Sequence, residues 1–294
     1  MRRSLLLLCA LLTLPLCAAE GYRIEGIVVA PVRPVAEWLG AGMSVNPETK
    51  AVTLTKGATA LALTRNSTKG INNGQPLALA GPVFVYKGTT YVPLRAVAEA
   101  CGAHLAWDAK TNTATLSGVG DTPFTCVVTP FPRPACVADD TLAGLTPGDH
   151  LAVALARWGE PVKVSKSECG PKVKDYEFRV SPAEIFSVDV HATGDTIGMI
   201  VVAQMGDLDA VKHAKEIANV GTAHGFRFVG PTPRLYGLGT FLSESPSGDQ
   251  FIYVFPRGRL LLATEDVTFN DDQPSLARMS LVEHTAPRQW YEWW

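Results

Sequence analysis

The sequence predicts an α+β fold of two domains, each an antiparallel sheet packed with short helices, the first built from an internal two-fold repeat. Three observations lead there. Residues 31–54 recur as residues 93–116 at a gapless offset of 62, the difference 93 − 31. Apolar spacing alternates along the chain between the i, i+3, i+4, i+7 stripe of short helices and the strict alternation of strands. The chain also carries 26 glycines and 21 prolines in 294 residues, which forces many turns and short elements.

The chain opens on Met1-Arg2-Arg3, followed by a nearly all-apolar run over residues 5–16 and by Cys17-Ala18-Ala19. A basic head, a short apolar stretch and small residues at the last and third-last positions predict a signal peptide over residues 1–19, cleaved after Ala19. The run falls short of the roughly 20 residues needed to cross about 30 Å of hydrocarbon. No later stretch reaches that length, so the expected protein is exported and not membrane-spanning. Leu16 is bulky where a small residue precedes a lipidated cysteine, which argues against an anchor on Cys17.

Residues 20–118 form the first expected domain. Val32, Val35, Ala36 and Leu39 make a helical stripe that Leu94, Val97, Ala98 and Cys101 repeat. Pro31 and Pro93 suit a first helical turn, where a missing N–H costs nothing. Gly40 and Gly102 stop the helices. Arg33 and Glu37, like Arg95 and Glu99, stand at i, i+4 and are placed to pair. An alternating strand follows each helix (Met43 and Val45; Leu105 and Trp107), then a turn opening on Asn46 or Asp108 and a strand ending at Leu54 or Leu116. Between the copies, Asn73-Gly74 and Lys87-Gly88 each predict a hairpin.

The stretch from Tyr91 through Val92, Pro93, Leu94 and Arg95 to Ala103, with Trp107-Asp108 and the run Thr113 to Leu116, resembles the copper amine oxidase N-terminal-like domain, also called the stalk domain. The resemblance covers about residues 24–118; the first copy departs from the pattern at Ala30-Pro31-Val32-Arg33-Pro34. That family recurs in secreted and envelope proteins of bacteria as an accessory module without catalytic residues. It implies location and architecture rather than chemistry. Amine oxidase activity itself would need a large β-sandwich, a quinone-forming tyrosine and three copper-ligating histidines. Residues 145–294 are too few for that domain, and His150, His191, His213, His224 and His284 form no His-x-His pair.

Residues 119–144 hold Pro123, Pro130, Pro132 and Pro134 and predict an extended linker. Export makes disulfides the first reading of the mature cysteines, Cys101, Cys126, Cys136 and Cys169. Cys126–Cys136 is the expected bridge, closing a small loop for about 2–3 kcal/mol; Cys101–Cys169 is the further pairing. No zinc-type spacing accompanies them, and no metal or cofactor is expected.

The second expected domain spans residues 145–294. Thr146 is placed as the N-cap of a helix carrying Leu151, Leu155 and Trp158, with Asp149 three residues on. Strands are expected at 175–180, 184–191, 196–203, 226–229, 251–255, 260–265 and 276–283, and a helix at 208–218. Ser187, Asp189 and His191 share one strand face, but side by side about 7 Å apart, which is poor relay geometry; they are expected to face solvent. His213 is expected on an exposed helix face, Asn66-Ser67-Thr68 in a loop, and Asp271-Asp272 lacks the alternating ligands of a calcium loop. Trp290, Tyr291, Trp293 and Trp294 form the candidate binding tail, able to stack on sugars or to dock on a partner.

With 26 basic and 28 acidic side chains the net charge is −2, against nucleic-acid binding. The expected function is that of a non-catalytic cell-envelope protein: a stalk module followed by a binding or spacer domain, with a cell-wall glycan or an envelope protein as partner. The competing reading is an exported hydrolase with its active site in the C-terminal domain.

Overall fold

The computed structural model describes residues 19–119, 122–134, 144–168, 170–179 and 186–204, and beyond them the strands at 226–229, 232–235, 240–244, 251–254, 260–270 and 273–283. Side chains are described for the residues up to Val201, those of 186–188 excepted. Within these residues the chain is sheet-rich with three helices, an α+β structure.

The first sheet has eleven strands. They are β1 (Ala19–Ile24), β2 (Ile27–Pro31), β3 (Gly42–Val45), β4 (Val52–Lys56), β5 (Thr59–Leu63), β6 (Ser67–Asn72), β7 (Gln75–Tyr86), β8 (Thr89–Pro93), β9 (His104–Asp108), β10 (Thr113–Ser117) and β11 (Phe124–Pro130). Their order across the sheet is β3-β4-β5-β6-β7-β8-β2-β1-β11-β10-β9. Helix α1 (Val32–Leu39) leaves β2 and helix α2 (Leu94–Ala100) leaves β8. Val32, Val35, Ala36 and Leu39 are all buried, as are Leu94, Val97 and Ala98, so the helical stripes pack on the sheet as their spacing requires. Cys101 lies half-buried at the edge of the same core.

Two pairs of hairpins share their registers at the sequence offset of 62. Tyr22 faces Val29 in β1–β2, and Phe84 faces Tyr91 in β7–β8. Met43 faces Leu54 in β3–β4, and Leu105 faces Leu116 in β9–β10. The turns agree too. Glu25-Gly26 has φ of 46° and 82°, and Lys87-Gly88 has 48° and 78°, the two positive values of a type I′ turn. Asn73-Gly74 closes β6–β7 with 50° and 79°, as its sequence signals.

The linker expectation needs correction. Residues 124–130 form β11, which pairs antiparallel with β10 and parallel with β1. Phe124, Cys126 and Val128 alternate inward into the core, a period-2 pattern that the neighbouring prolines obscured. Cys126 is fully buried. Its packing explains Gly21 on β1: a Cβ there would stand 2.6 Å from the Cys126 sulfur and 2.6 Å from the Val29 carbonyl oxygen.

The second sheet has eight strands ordered β12-β13-β14-β15-β21-β20-β19-β18. These are β12 (Lys163–Lys166), β13 (Val173–Arg179), β14 (Phe186–Thr193), β15 (Thr196–Gln204), β18 (Thr240–Glu244), β19 (Phe251–Val254), β20 (Leu260–Asn270) and β21 (Gln273–Glu283). A separate ribbon joins β16 (Phe226–Val229) to β17 (Thr232–Leu235). The expected helix at 208–218 lies outside the described residues.

Helix α3 (Leu151–Trp158) starts later than expected. Pro147 and Gly148, the latter at φ 91°, turn the chain first, and Asp149 rather than Thr146 organises that turn. The Asp149 carboxylate is wholly buried. It accepts from the Thr146 N–H at 2.9 Å and from Arg133 Nε and Nη2 at 2.8 and 2.5 Å. The helix cap is His150, whose Nδ1 accepts from the Ala152 N–H at 3.1 Å. The proton therefore sits on Nε2, which donates to the Val85 carbonyl at 3.0 Å. His150 thus ties α3 to β7, against the rings of Phe84, Tyr86 and Phe131.

Two outcomes follow. Gly21→Ala forces Cβ against backbone and should destabilise the fold by about 1–3 kcal/mol in chemical denaturation; an unchanged midpoint would contradict the close approach. Burial holds the His150 pKa below its ordinary 6.5; the Asp195 charge and the Val85 hydrogen bond pull it upward, and the Arg65 charge adds to the lowering. The unfolded chain takes up that proton more readily, so this stabilisation is complete above pH 6.5 and declines as pH falls below it. His150→Asn keeps a capping side chain without titrating. Melting curves from pH 7.5 down to 5 should therefore lose stability less steeply in His150→Asn than in the wild type.

Candidate binding site

The two helix starts and the two type I′ turns build a pair of grooves on the first sheet. The first, of about 500 Å³, runs between Gly26, Ile27 and Val28 after one turn, Arg95 at the start of α2, and Leu105 and Trp107 on β9. The second, of about 690 Å³, runs between Gly88, Thr89 and Thr90, Arg33 at the start of α1, and Met43 and Val45 on β3. A shift of 62 relates the two sets: subtracting it takes Trp107 to Val45, Leu105 to Met43, Arg95 to Arg33 and Pro93 to Pro31, and adding it takes Gly26, Ile27 and Val28 to Gly88, Thr89 and Thr90. Of the nine residues lining the first groove, seven have such a counterpart lining the second. Agreement of that extent reflects common backbone geometry rather than chance.

The chemistry of the grooves differs in detail. The first adds Arg23, so two arginines share its lining with Trp107, which is 39% exposed. The second adds Glu20 and the buried rings of Tyr91 and Phe124. Among the described residues neither Arg33 nor Arg95 is ion-paired, so the expected pairs with Glu37 and Glu99 do not form. The Arg-then-Glu order is the weaker one on a helix, and both arginines line the grooves. Val45, 56% exposed, and Trp107 leave the core for the grooves. Strand alternation alone did not reveal this; the recurrence of exposed apolar positions beside a repeated arginine would have.

The hydrolase residues part company. His191 is only 8% exposed, contrary to the solvent-facing expectation, because β13 brings Asp175 opposite it. Its Nδ1 lies 2.6 Å from Asp175 Oδ1 and 3.2 Å from Ser167 Oγ. Serine and carboxylate meet the same ring nitrogen, whereas a relay needs them on opposite ones. Burial would raise the Asp175 pKa, but the hydrogen bonds from His191 and Ser167 and the charges of His191 and Lys163 hold it below the ordinary 3.8. The cluster is a structural tie across β12–β14. The Ser187 side chain lies outside the described residues.

Asn66-Ser67-Thr68 is not a free loop. Asn66 Nδ2 donates to Asp195 at 2.8 Å, and Ser67 and Thr68 begin β6 with their hydroxyls on Glu160 at 2.6 and 3.1 Å. Among the described residues no three histidine, cysteine or acidic side chains gather as a metal site. No helix among them is long and apolar enough to cross a membrane. Cys136, Cys169, His213, Asp271, Asp272 and the tail of Trp290, Tyr291, Trp293 and Trp294 lie outside the described residues. Among the described residues Cys126 has no disulfide partner, and burial pushes its thiol pKa up to about 12.

Residues 16–116 match the family model of the copper amine oxidase N-terminal domain, so this part of the chain carries a domain of that family, which is non-catalytic in those oxidases. No curated protein matches the chain. Among solved structures, a cysteine-rich secretory protein from Staphylococcus aureus is 12% identical at a TM-score of 0.29, covering 51% of this chain and 49% of its own. The chain thus spans about half the length of that protein. A putative 6-phosphogluconolactonase from Bacteroides uniformis is 8% identical at a TM-score of 0.12, covering 85% of this chain and 80% of its own. Likenesses this low carry no argument for fold or function.

A two-step labelling experiment checks the state of Cys126. With a first alkylating reagent at pH 8 the native thiol should stay unlabelled, and a second reagent should mark it on unfolding without reductant. Marking that requires reductant would instead mean a bond to Cys136.

Proposed function

We propose that this chain is an exported, non-catalytic protein of the bacterial cell envelope, working by contact through the two grooves of its N-terminal domain. The second sheet serves as a binding or spacer unit. The single observation that carries the reading is the coincidence of the two groove linings at an offset of 62, with an arginine recurring in each. Export is supported by the basic head, apolar run and small-residue close of residues 1–19. The domain is read as a pseudo-two-fold pair of halves about β2–β8, supported by the shared hairpin registers.

An arginine in each groove suits a carboxylate-bearing glycan of the cell wall: the guanidinium fork takes the carboxylate, and the exposed apolar side chain, Trp107 in the first groove and Val45 in the second, covers a sugar face. Two equivalent grooves then engage successive units of one polymer, and linked weak contacts reinforce each other.

Retention of the mature chain on purified cell wall tests this. Arg33→Ala and Arg95→Ala should each weaken retention about 5–150-fold, and the double variant more than either. Both arginines are exposed, so melting should stay within about 0.5 kcal/mol of wild type. Wild-type retention in the double variant would overturn the groove reading. Loss only on truncating the chain before Trp290 would move the site to the aromatic tail.

A further inference from the structure

A third cavity, of about 320 Å³, lies where the two sheets meet. Lys50, in the β3–β4 turn, and Arg65, between β5 and β6, come from the first sheet. Lys172 and Lys174, at the start of β13, and Asp195, between β14 and β15, come from the second. Four cations thus surround one carboxylate, in a protein whose overall charge is −2. That carboxylate is already engaged: one oxygen is paired with Arg65 Nη2 and the other accepts from Asn66 Nδ2. The three lysines have no ion-pair partner among the described residues. Two further polar atoms at the site, Arg65 Nε and Asn66 Oδ1, are buried without a hydrogen-bond partner. Tyr176, only 7% exposed, adds a hydroxyl to the lining.

We infer that this cavity binds a phosphoryl anion carrying at least two negative charges, bridging the two sheets. The excess positive charge asks for a multivalent anion, because a single carboxylate leaves like charges unmatched. Arg65 gives Nη2 to Asp195 and its Nε is buried, so recognition falls to the exposed lysine ammonium groups, which act as point charges and suit phosphate oxygens more than the planar geometry of a carboxylate. The two charges come either from a soluble diphosphate or from two neighbouring phosphodiesters of a polymer, each of which carries one. Because Lys50 stands on one sheet and Lys172 and Lys174 on the other, the bound anion also holds the sheets together, independently of the two grooves.

Calorimetric titration of the mature chain with inorganic pyrophosphate at low salt tests this, with a short poly(glycerol phosphate) as the second arm. Saturable binding is expected for both, and the tighter of the two identifies the source. Lys172→Ala and Lys174→Ala should each weaken pyrophosphate about tenfold. Lys163→Ala with Lys166→Ala, equally exposed on β12 but outside the cavity, should leave it unchanged. Pyrophosphate should raise the melting temperature of the wild type, and the rise should vanish in the Lys172→Ala, Lys174→Ala double variant. Absence of saturable binding would overturn the inference. So would equal losses in the Lys163→Ala, Lys166→Ala control, or wild-type affinity in the double variant.

Discussion

Three residue pairs hold the first sheet together at its middle: Val29 with Pro93, Ala30 with Val92, and Pro31 with Tyr91. Every strand on one side of this ladder reaches the other side only through it. The two prolines set its length. Each lacks an N–H, so the ladder cannot continue past it. Each has φ near −60°, which serves both the end of a strand and the start of a helix. The chain must turn from sheet to helix at two points facing one another, and the residues two places beyond the prolines, Arg33 and Arg95, are carried to the groove edges. The grooves are thus a consequence of the ladder rather than an addition to it.

Helix α3 and the residues flanking it lean on this frame through polar and aromatic contacts. Glu160 accepts from the hydroxyls of Ser67 and Thr68 at 2.6 and 3.1 Å, and Arg157 reaches Glu25 at 3.1 Å. Tyr22, Phe84, Tyr86 and Phe131 pack edge-to-face or tilted beneath His150. Rings at these spacings add about 0.5–1.5 kcal/mol per pair beyond the area they bury. The Arg133–Asp149 pair fixes the turn that aims His150. Removing one partner would leave a buried charge, a far larger loss than the pair's net contribution.

Much of the first sheet was legible because local signals agreed with one another. The helical stripe from Val32 to Leu39, the glycine stop at Gly40 and the Asn73-Gly74 turn each state their conformation within a few residues. What was not legible depended on partners distant in sequence. The strand at 124–130 hid behind its prolines because one of its two pairing partners, β1, lies more than a hundred residues earlier. His191 looked solvent-facing because its burial is imposed by Asp175 and Ser167. The helix start slipped from Thr146 to His150 because the buried Arg133–Asp149 pair claims the turn. The repeat itself was plain in the sequence, yet the grooves were not, since an exposed Trp107 reads as strand alternation until Arg95 is seen beside it.

The central claim is that two equivalent grooves, set by one proline-bounded ladder, take the same ligand. Backbone amide shifts of the mature chain, followed by NMR during titration with solubilised cell-wall fragments, test it most directly. The account predicts that Gly26, Ile27 and Val28 move together with Gly88, Thr89 and Thr90, over the same range of ligand concentration. Shifts at one groove alone, or at neither, would contradict it.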